Sequence, residues 1–215
     1  MARTHSTSRE WVATGTALCT SALVRLSEED FAAPSALPGW TRGHVVAHLA
    51  ANAEALGNLV HWARTGERTP MYASPQQRAE DIEKGSRLGG AELTRWFTAS
   101  AARLATGMAA LSEQAWRAEV VTAQGRTVPA SEIPYLRGRE VLVHAVDLAA
   151  GITFADLPDT FLRELEADIR ARRGPGAVPE LVGARAEVVA YLAGRPTTGV
   201  TTADGTPLPV LPAWL

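Results

Sequence analysis

Ionisable side chains occur at helical spacing within an otherwise apolar stretch, residues 139–150. Glu140, His144 and Asp147 fall within a narrow arc when each residue turns by about 100° around a helix axis. A buried carboxylate without compensation is very costly, and a cation shared by Glu140 and His144 would compensate it. The stretch therefore predicts a metal-binding helix, in which Asp147 either hydrogen-bonds a ligand or pairs with an arginine such as Arg137 or Arg139.

A third ligand has to come from another helix. The helix predicted over residues 43–64 has an apolar arc that contains His48 and Asn52, whereas His44 lies at its edge and His61 on the opposite face. Two imidazoles and one carboxylate would leave a coordination position open, as catalytic zinc sites do. The pattern alone leaves two alternatives open: a hydrogen-bonded core histidine, and a Glu–His pair on a solvated helix.

These ligands require long helices that pack together. Helical periodicity and turn residues predict bundle helices near residues 8–27, 43–64, 74–86, 91–111 and 132–151. A short hairpin or an irregular excursion is expected around residues 120–128. Further helices are expected near residues 159–172 and 184–193, followed by a hairpin of residues 199–202 and 208–211 around Asp204-Gly205. We therefore predict a mainly α protein, with an antiparallel four-helix bundle over residues 1–152 and a small α/β C-terminal domain over residues 153–215.

Composition and charge exclude several classes of function. The hydrophobic fraction of 46% is sufficient for a packed core, and a net charge of -2 provides no field that would attract nucleic acid. No apolar run has the length needed to span a bilayer, and the polar start of the chain is unlike a signal peptide. We expect a cytoplasmic protein without nucleic-acid or membrane partners, and the sequence leaves its oligomeric state open.

Cys19 is the only cysteine of the chain. It lies within a helical pattern, which favours a small buried residue over a nucleophile. Any thiol chemistry would then require a thiol supplied by another molecule.

Several motifs together resemble one known family. The segments 37–50, 71–74, 139–148, 192–195 and 208–215 occur in the expected order and extend over nearly the whole chain. On these motifs the chain is identified as a member of the mycothiol-dependent maleylpyruvate isomerase family, within the DinB-like superfamily of four-helix bundles. One departure is that the C-terminal region looks short, with a compact tract rich in Gly, Pro and Arg at residues 170–182, and a trimmed domain would alter the substrate pocket.

The resemblance implies a metal site and a reaction. Zinc, or another divalent metal, would be bound by His48, Glu140 and His144, and Arg195 would act on the anions of the substrate or cofactor. Mycothiol would serve as the cofactor for conversion of the small-molecule substrate maleylpyruvate to fumarylpyruvate, by reversible addition of a zinc-bound thiolate to the double bond. This reaction would belong to gentisate degradation in aromatic catabolism.

Other assignments remain as expectations. Asn52 and Tyr72 are candidate cofactor-binding residues, although Asn52 is also suited to helix packing and Tyr72 to covering the mouth of the bundle. Arg195 would offer a planar guanidinium to a carboxylate, or would be a surface arginine. Two rival functions are a mycothiol S-transferase that acts on another electrophile and a non-catalytic bundle stabilised by its metal.

Overall fold

The computed structural model of the chain describes residues 4–211 and is mainly helical, which confirms the predicted fold class. Residues 1–3 and 212–215, including the end of the closing motif, lie outside the described range. The α-helices within this range are α1 His5–Val24, α2 Arg42–Thr65, α3 Pro75–Gly85, α4 Gly90–Ala109, α5 Glu113–Arg117, α6 Ile133–Asp147, α7 Asp159–Arg173 and α8 Arg185–Leu192. The strands are β1 Glu119–Val121, β2 Thr127–Pro129, β3 Leu181–Val182 and β4 Thr201–Thr202. Internal contacts divide the chain into two compact units, Met1–Ile152 and Thr153–Leu215.

Four long helices form the bundle of the first unit. Helix α1 packs against α6, α6 against α2, and α2 against α4, while α3 lies on the outside of α2. Helices α1 and α6 approach closely because Gly15 has no side chain: a Cβ there would lie 2.4 Å from Cγ2 of Val141. Helix α6 is consequently buried on almost all of its faces, as its apolar sequence predicts.

The start of α2 is defined by a capping box. Thr41 Oγ1 accepts a hydrogen bond from the backbone N–H of His44, and Nδ1 of His44 accepts one from the backbone N–H of Thr41. The helix ends at Gly66, whose positive φ of 77° suits a glycine cap. These two caps fix where α2 begins and ends, and His48 lies on the buried face of the helix between them.

The first unit also contains the predicted hairpin. Strands β1 and β2 pair in antiparallel fashion with Val120 opposite Val128, and both side chains are buried. The preceding helix α5 was not predicted because its five residues are too few to show a helical period.

In the second unit the predicted hairpin of residues 199–202 and 208–211 is wrong. Strand β4 instead pairs in antiparallel fashion with β3, which precedes it by about twenty residues. The Asp204-Gly205 turn forms, since the Gly205 N–H donates to the carbonyl of Thr202. Beyond the turn, Pro207 and Pro209 have no N–H to donate to a β-ladder, so the chain after the turn cannot serve as the partner strand.

Among residues 4–211, no helix combines the length and the apolarity needed to cross a membrane.

Candidate metal centre

Three potential ligands from two helices converge inside the bundle. His48 comes from α2, and Glu140 and His144 come from successive turns of α6. Their donor atoms all lie within 4.8 Å of one another. Nε2 of His48 lies 2.9 Å from Oε2 of Glu140, and Nε2 of His144 lies 3.4 Å from the same oxygen. Two imidazole nitrogens therefore face one carboxylate, which is a donor set that zinc and related divalent ions accept.

The three side chains differ in their access to solvent. The side chain of His48 is 5% exposed, whereas those of Glu140 and His144 keep 17% and 15% of their surface. The ligand from α2 is therefore the most buried of the three, and the two from α6 keep some access to solvent.

Two of the three groups, His48 and Glu140, are held in the protonation states that metal binding requires. Burial lowers the pKa of His48, partly opposed by its hydrogen bond with Glu140, so its imidazole is neutral at pH 7. Burial acts to raise the pKa of Glu140, but hydrogen bonds from His144 and His48 outweigh it and hold the pKa well below the usual range. A neutral imidazole and an ionised carboxylate are the states that ligate metals.

Asp147 orients His144. Its Oδ2 lies 2.7 Å from Nδ1 of His144, and the carboxylate is fully buried. Burial acts to lower the pKa of His144, but hydrogen bonds with Asp147 and Glu140 raise it overall. With Nδ1 engaged by Asp147, Nε2 is left facing Glu140. Of the two roles considered for Asp147, the structure thus shows hydrogen bonding to a candidate ligand.

Two further residues that were not singled out by sequence contact His48. A guanidinium nitrogen of Arg78, on α3, lies 3.4 Å from Nδ1 of His48. The ring centroid of Trp40 lies 5.7 Å from that of His48, in an edge-on arrangement. Arg78 gave no signal because α3 is polar around most of its circumference, and Trp40 lies in the irregular segment before α2, where helical periodicity does not apply.

Asn52 packs between helices, one turn after His48. Its Oδ1 accepts a hydrogen bond of 2.9 Å from Arg137, whose guanidinium also donates to the carbonyl of Leu49. Arg137 is fully buried, so Asn52 satisfies part of the hydrogen bonding of a buried cation. The packing role left open by the sequence is therefore present, and cofactor binding by Asn52 stays a prediction.

Tyr72 is half-buried next to Asn52 and Arg78. The guanidinium carbon of Arg78 lies 5.6 Å from the centroid of the Tyr72 ring. Burial raises the pKa of Tyr72, whereas the charge of Arg78 and hydrogen bonds with Arg78 and Asn52 act in the opposite direction. Tyr72 thus lies close to the candidate centre through Arg78, and its role toward a cofactor also stays a prediction.

Arg195 lies in the second unit, in the segment that follows α8. Its backbone N–H donates to the carbonyl of Ala190 at 2.8 Å, and its guanidinium donates to the carbonyl of Ala193. The activity expected of Arg195 stays a prediction.

Cys19 is completely buried in the bundle, as the sequence predicted. Its thiol donates a hydrogen bond to the carbonyl of Val141, and burial raises its pKa to about 12. This thiol is protonated at neutral pH and is not a nucleophile.

We predict that Cys19 does not react with iodoacetamide in the native protein. With a pKa of about 12, about one thiol in ten thousand is ionised at pH 8, and burial further excludes the reagent. Intact mass spectrometry should show no added carbamidomethyl group after an hour at pH 8. The same protein in guanidinium chloride provides the control, since it should be fully modified. Modification of the native protein at a similar rate would contradict the buried position.

The chain is similar to known proteins over almost its whole length, not only at the centre. Residues 12–149 match the family model described as the mycothiol maleylpyruvate isomerase N-terminal domain. A crystal structure of a mycothiol-dependent maleylpyruvate isomerase is 40% identical in sequence and superposes with a TM-score of 0.92, over 99% of this chain and 98% of that one. A histidine-to-alanine mutant of an isomerase of the same description matches equally well. A search among curated proteins gave no significant match.

Proposed function

The chain belongs to the mycothiol-dependent maleylpyruvate isomerase family, and on that premise we propose that it is an isomerase that converts maleylpyruvate to fumarylpyruvate with mycothiol as cofactor. The proposal rests on one observation above all: the convergence of His48, Glu140 and His144 in a chain that is similar over its full length to such an isomerase. The reaction changes the geometry about a double bond from cis to trans. Substrate and product therefore have the same composition, and the cofactor is regenerated in each turnover.

We assign the metal to His48, Glu140 and His144, and zinc is the ion that this donor set suits best. A divalent ion bound there would make the mycothiol thiolate available at neutral pH for reversible addition to the double bond, and would polarise the substrate carbonyl. Glu140 offsets part of the ionic charge, and the partly exposed side of the centre provides space for ligands other than protein side chains.

Side chains around the centre are suited to hold an anionic substrate. Arg78 places a permanent positive charge next to His48, on the side of α3. Trp40 provides an apolar wall that excludes water from one side of the His48 imidazole. Arg195 is proposed as a second anion-binding group, because it lies in the family motif at residues 192–195 and a guanidinium can bind a carboxylate with two parallel hydrogen bonds.

Cys19 does not compete with the cofactor for the role of nucleophile. Its thiol is buried, protonated and hydrogen-bonded to Val141. Because the described residues contain no other cysteine, the nucleophilic sulfur has to enter with mycothiol. A cytoplasmic location and a role in gentisate degradation are the setting in which we propose that this reaction takes place.

The isomerase assay tests this proposal directly. We predict that the purified protein, loaded with zinc, converts maleylpyruvate to fumarylpyruvate over many turnovers per molecule of mycothiol, while the free thiol concentration stays constant. Substrate and product are followed by their ultraviolet absorbance, and free thiol by a colorimetric reagent on quenched samples. The control reaction without mycothiol should proceed at the background rate.

Two other results would identify the rival functions. Stoichiometric loss of thiol, with a stable conjugate in the mass spectrum, would indicate a mycothiol S-transferase. No turnover of maleylpyruvate, together with unfolding of the protein on removal of the ion, would indicate a non-catalytic bundle with a structural metal.

A further inference from the structure

A groove of about 530 Å³ lies beside the metal centre, between α2, α3 and α4. Its floor is formed by Ala51 and Ala55, which follow His48 by three and seven residues and therefore lie on the same side of α2. Small side chains at these positions leave room for a ligand along two turns of the helix. The described residues that line the groove do not include the three metal ligands, so the groove adjoins the centre and is not the centre itself.

One wall of the groove is the indole of Trp96, which is held in a defined orientation. Its Nε1 donates to the carboxylate of Glu54 at 3.0 Å, and the same carboxylate accepts from Arg103. The ring packs against Gly85, where a Cβ would lie 2.7 Å from Cζ3 of Trp96. A fixed aromatic ring that borders polar groups is a surface on which the apolar C–H face of a sugar ring can stack.

The charges that line the groove are balanced. Glu54 and Asp81 contribute two negative charges, and Arg78 and Lys84 contribute two positive charges. A ligand segment with a net charge would therefore gain no overall attraction, whereas a neutral segment rich in hydroxyl groups finds both donors and acceptors. This pattern favours a polyhydroxylated ligand over a peptide thiol or a phosphorylated thiol, both of which are anionic.

The groove is joined to the metal centre by one residue. Arg78 lines the groove, and its guanidinium lies 3.4 Å from Nδ1 of His48. A molecule whose thiol reaches the centre can therefore continue past Arg78 along the floor formed by Ala51 and Ala55. Mycothiol has this form, because its cysteine is linked through an amide to a neutral glucosamine–inositol unit.

From these observations we infer that the groove between α2, α3 and α4 binds the glucosamine–inositol part of mycothiol. This inference rests on the proposed function, since that function makes mycothiol the cofactor. Asp81 is a sugar-binding residue in this arrangement, because it lines the groove from α3 and its carboxylate can accept hydrogen bonds from sugar hydroxyl groups. The groove would thereby select mycothiol among cellular thiols, a task for which the metal centre itself is not suited because the sulfur is the only part of a thiol cofactor that would bind there.

A matched pair of substitutions on α3 tests the inference. Asp81 accepts a hydrogen bond from Gln77, four residues earlier, and its neighbour Glu80 accepts the equivalent bond from Gln76, also four residues earlier. Both carboxylates are exposed, yet of the two only Asp81 lines the groove. Asp81→Asn and Glu80→Gln thus remove one charge each from similar positions, inside and outside the proposed site.

We predict that Asp81→Asn weakens binding of N-acetylglucosaminyl inositol, which has no thiol, by about tenfold in isothermal titration calorimetry. The ratio of kcat/KM with mycothiol to kcat/KM with N-acetylcysteine should fall by a similar factor. Glu80→Gln should match the wild type in both measurements. A second variant, Trp96→Phe, keeps an aromatic ring but loses the bond to Glu54, and is expected to weaken binding by less than Asp81→Asn.

The calorimetric measurement keeps this inference separate from the proposed function. It requires no catalysis, so binding of the sugar that depends on Asp81 would support the groove even in a protein without isomerase activity. Equal affinities for the sugar in wild type, Asp81→Asn and Trp96→Phe would overturn the inference, as would no detectable binding to the wild type. An active isomerase with this result would retain the proposed function and lose only the assignment of the groove.

Discussion

Replacing Glu140 by glutamine is expected to lower kcat/KM for maleylpyruvate by about a thousandfold, which corresponds to several kcal/mol of lost transition-state stabilisation. Glu140 is the only carboxylate within the three-residue cluster, and its Oε2 faces both imidazoles at 2.9 and 3.4 Å. The glutamine side chain has the same shape but no charge, so it replaces an anionic ligand by a much weaker neutral one while leaving the packing of α6 nearly unchanged. Metal content, measured by plasma mass spectrometry after gel filtration, should fall together with activity.

His48→Ala should have a comparable effect on activity because it removes the ligand contributed by α2. His61→Ala is the control, since His61 lies on the same helix but has a side chain that is 41% exposed and interacts with Glu67 at the surface. Its activity and metal content should equal those of the wild type. Full activity in both Glu140→Gln and His48→Ala would exclude the proposed metal chemistry. A loss of activity accompanied by a large fall in melting temperature would instead assign the metal a structural role.

Asp147→Asn is expected to lower metal affinity and activity by about 10- to 100-fold, the range typical of residues that orient a metal ligand. The Asp147 carboxylate is fully buried and lies 2.7 Å from Nδ1 of His144, so it holds that nitrogen protonated and leaves Nε2 for the metal. An asparagine amide that accepts the same hydrogen bond carries no charge and makes the imidazole a weaker ligand. The affinity is measured by competition with a chromophoric chelator.

Added zinc distinguishes an orienting role of Asp147 from a merely structural one. If Asp147 acts through His144, a high zinc concentration should restore most of the activity of Asp147→Asn, because binding is weakened but the ligands are all present. Asp156→Asn provides a matched control, since Asp156 is an exposed carboxylate hydrogen-bonded to Thr153 and lies away from α6 in sequence. Wild-type metal affinity in Asp147→Asn would show that the contact with His144 has no role in metal binding.

Local sequence was sufficient to predict α6 and its inward ionisable residues. Glu140, His144 and Asp147 lie on one arc because helical geometry depends only on spacing, and the apolar residues around them require that arc to be buried. The same reasoning identified His48 as the inward histidine of α2, and the structure places it in the bundle at 4% exposure. Packing against neighbouring helices supplies the partners that the buried groups need.

Features formed by residues that are distant in sequence could not be predicted in this way. Strand β4 pairs with β3, about twenty residues earlier, because prolines prevent the residues after its own turn from completing a ladder. Turn residues indicate that the chain reverses direction, but they do not specify which segment provides the partner strand. Pairing is decided by which unpaired backbone groups are available in the folded unit.

The sequence by itself determined which side chains are inward and chemically suited to bind a metal, because a helix repeats every 3.6 residues wherever it lies in the protein. Only the tertiary structure decided that His48 meets Glu140 across 92 residues of chain, that Arg78 reaches the back of His48, and that Trp96 closes a groove beside them. These contacts arise from the packing of separate helices, where close approaches at glycines and small residues set which faces meet. Such approaches depend on how the surfaces of two helices fit together, and the periodicity of one segment carries no information about the surface of the other.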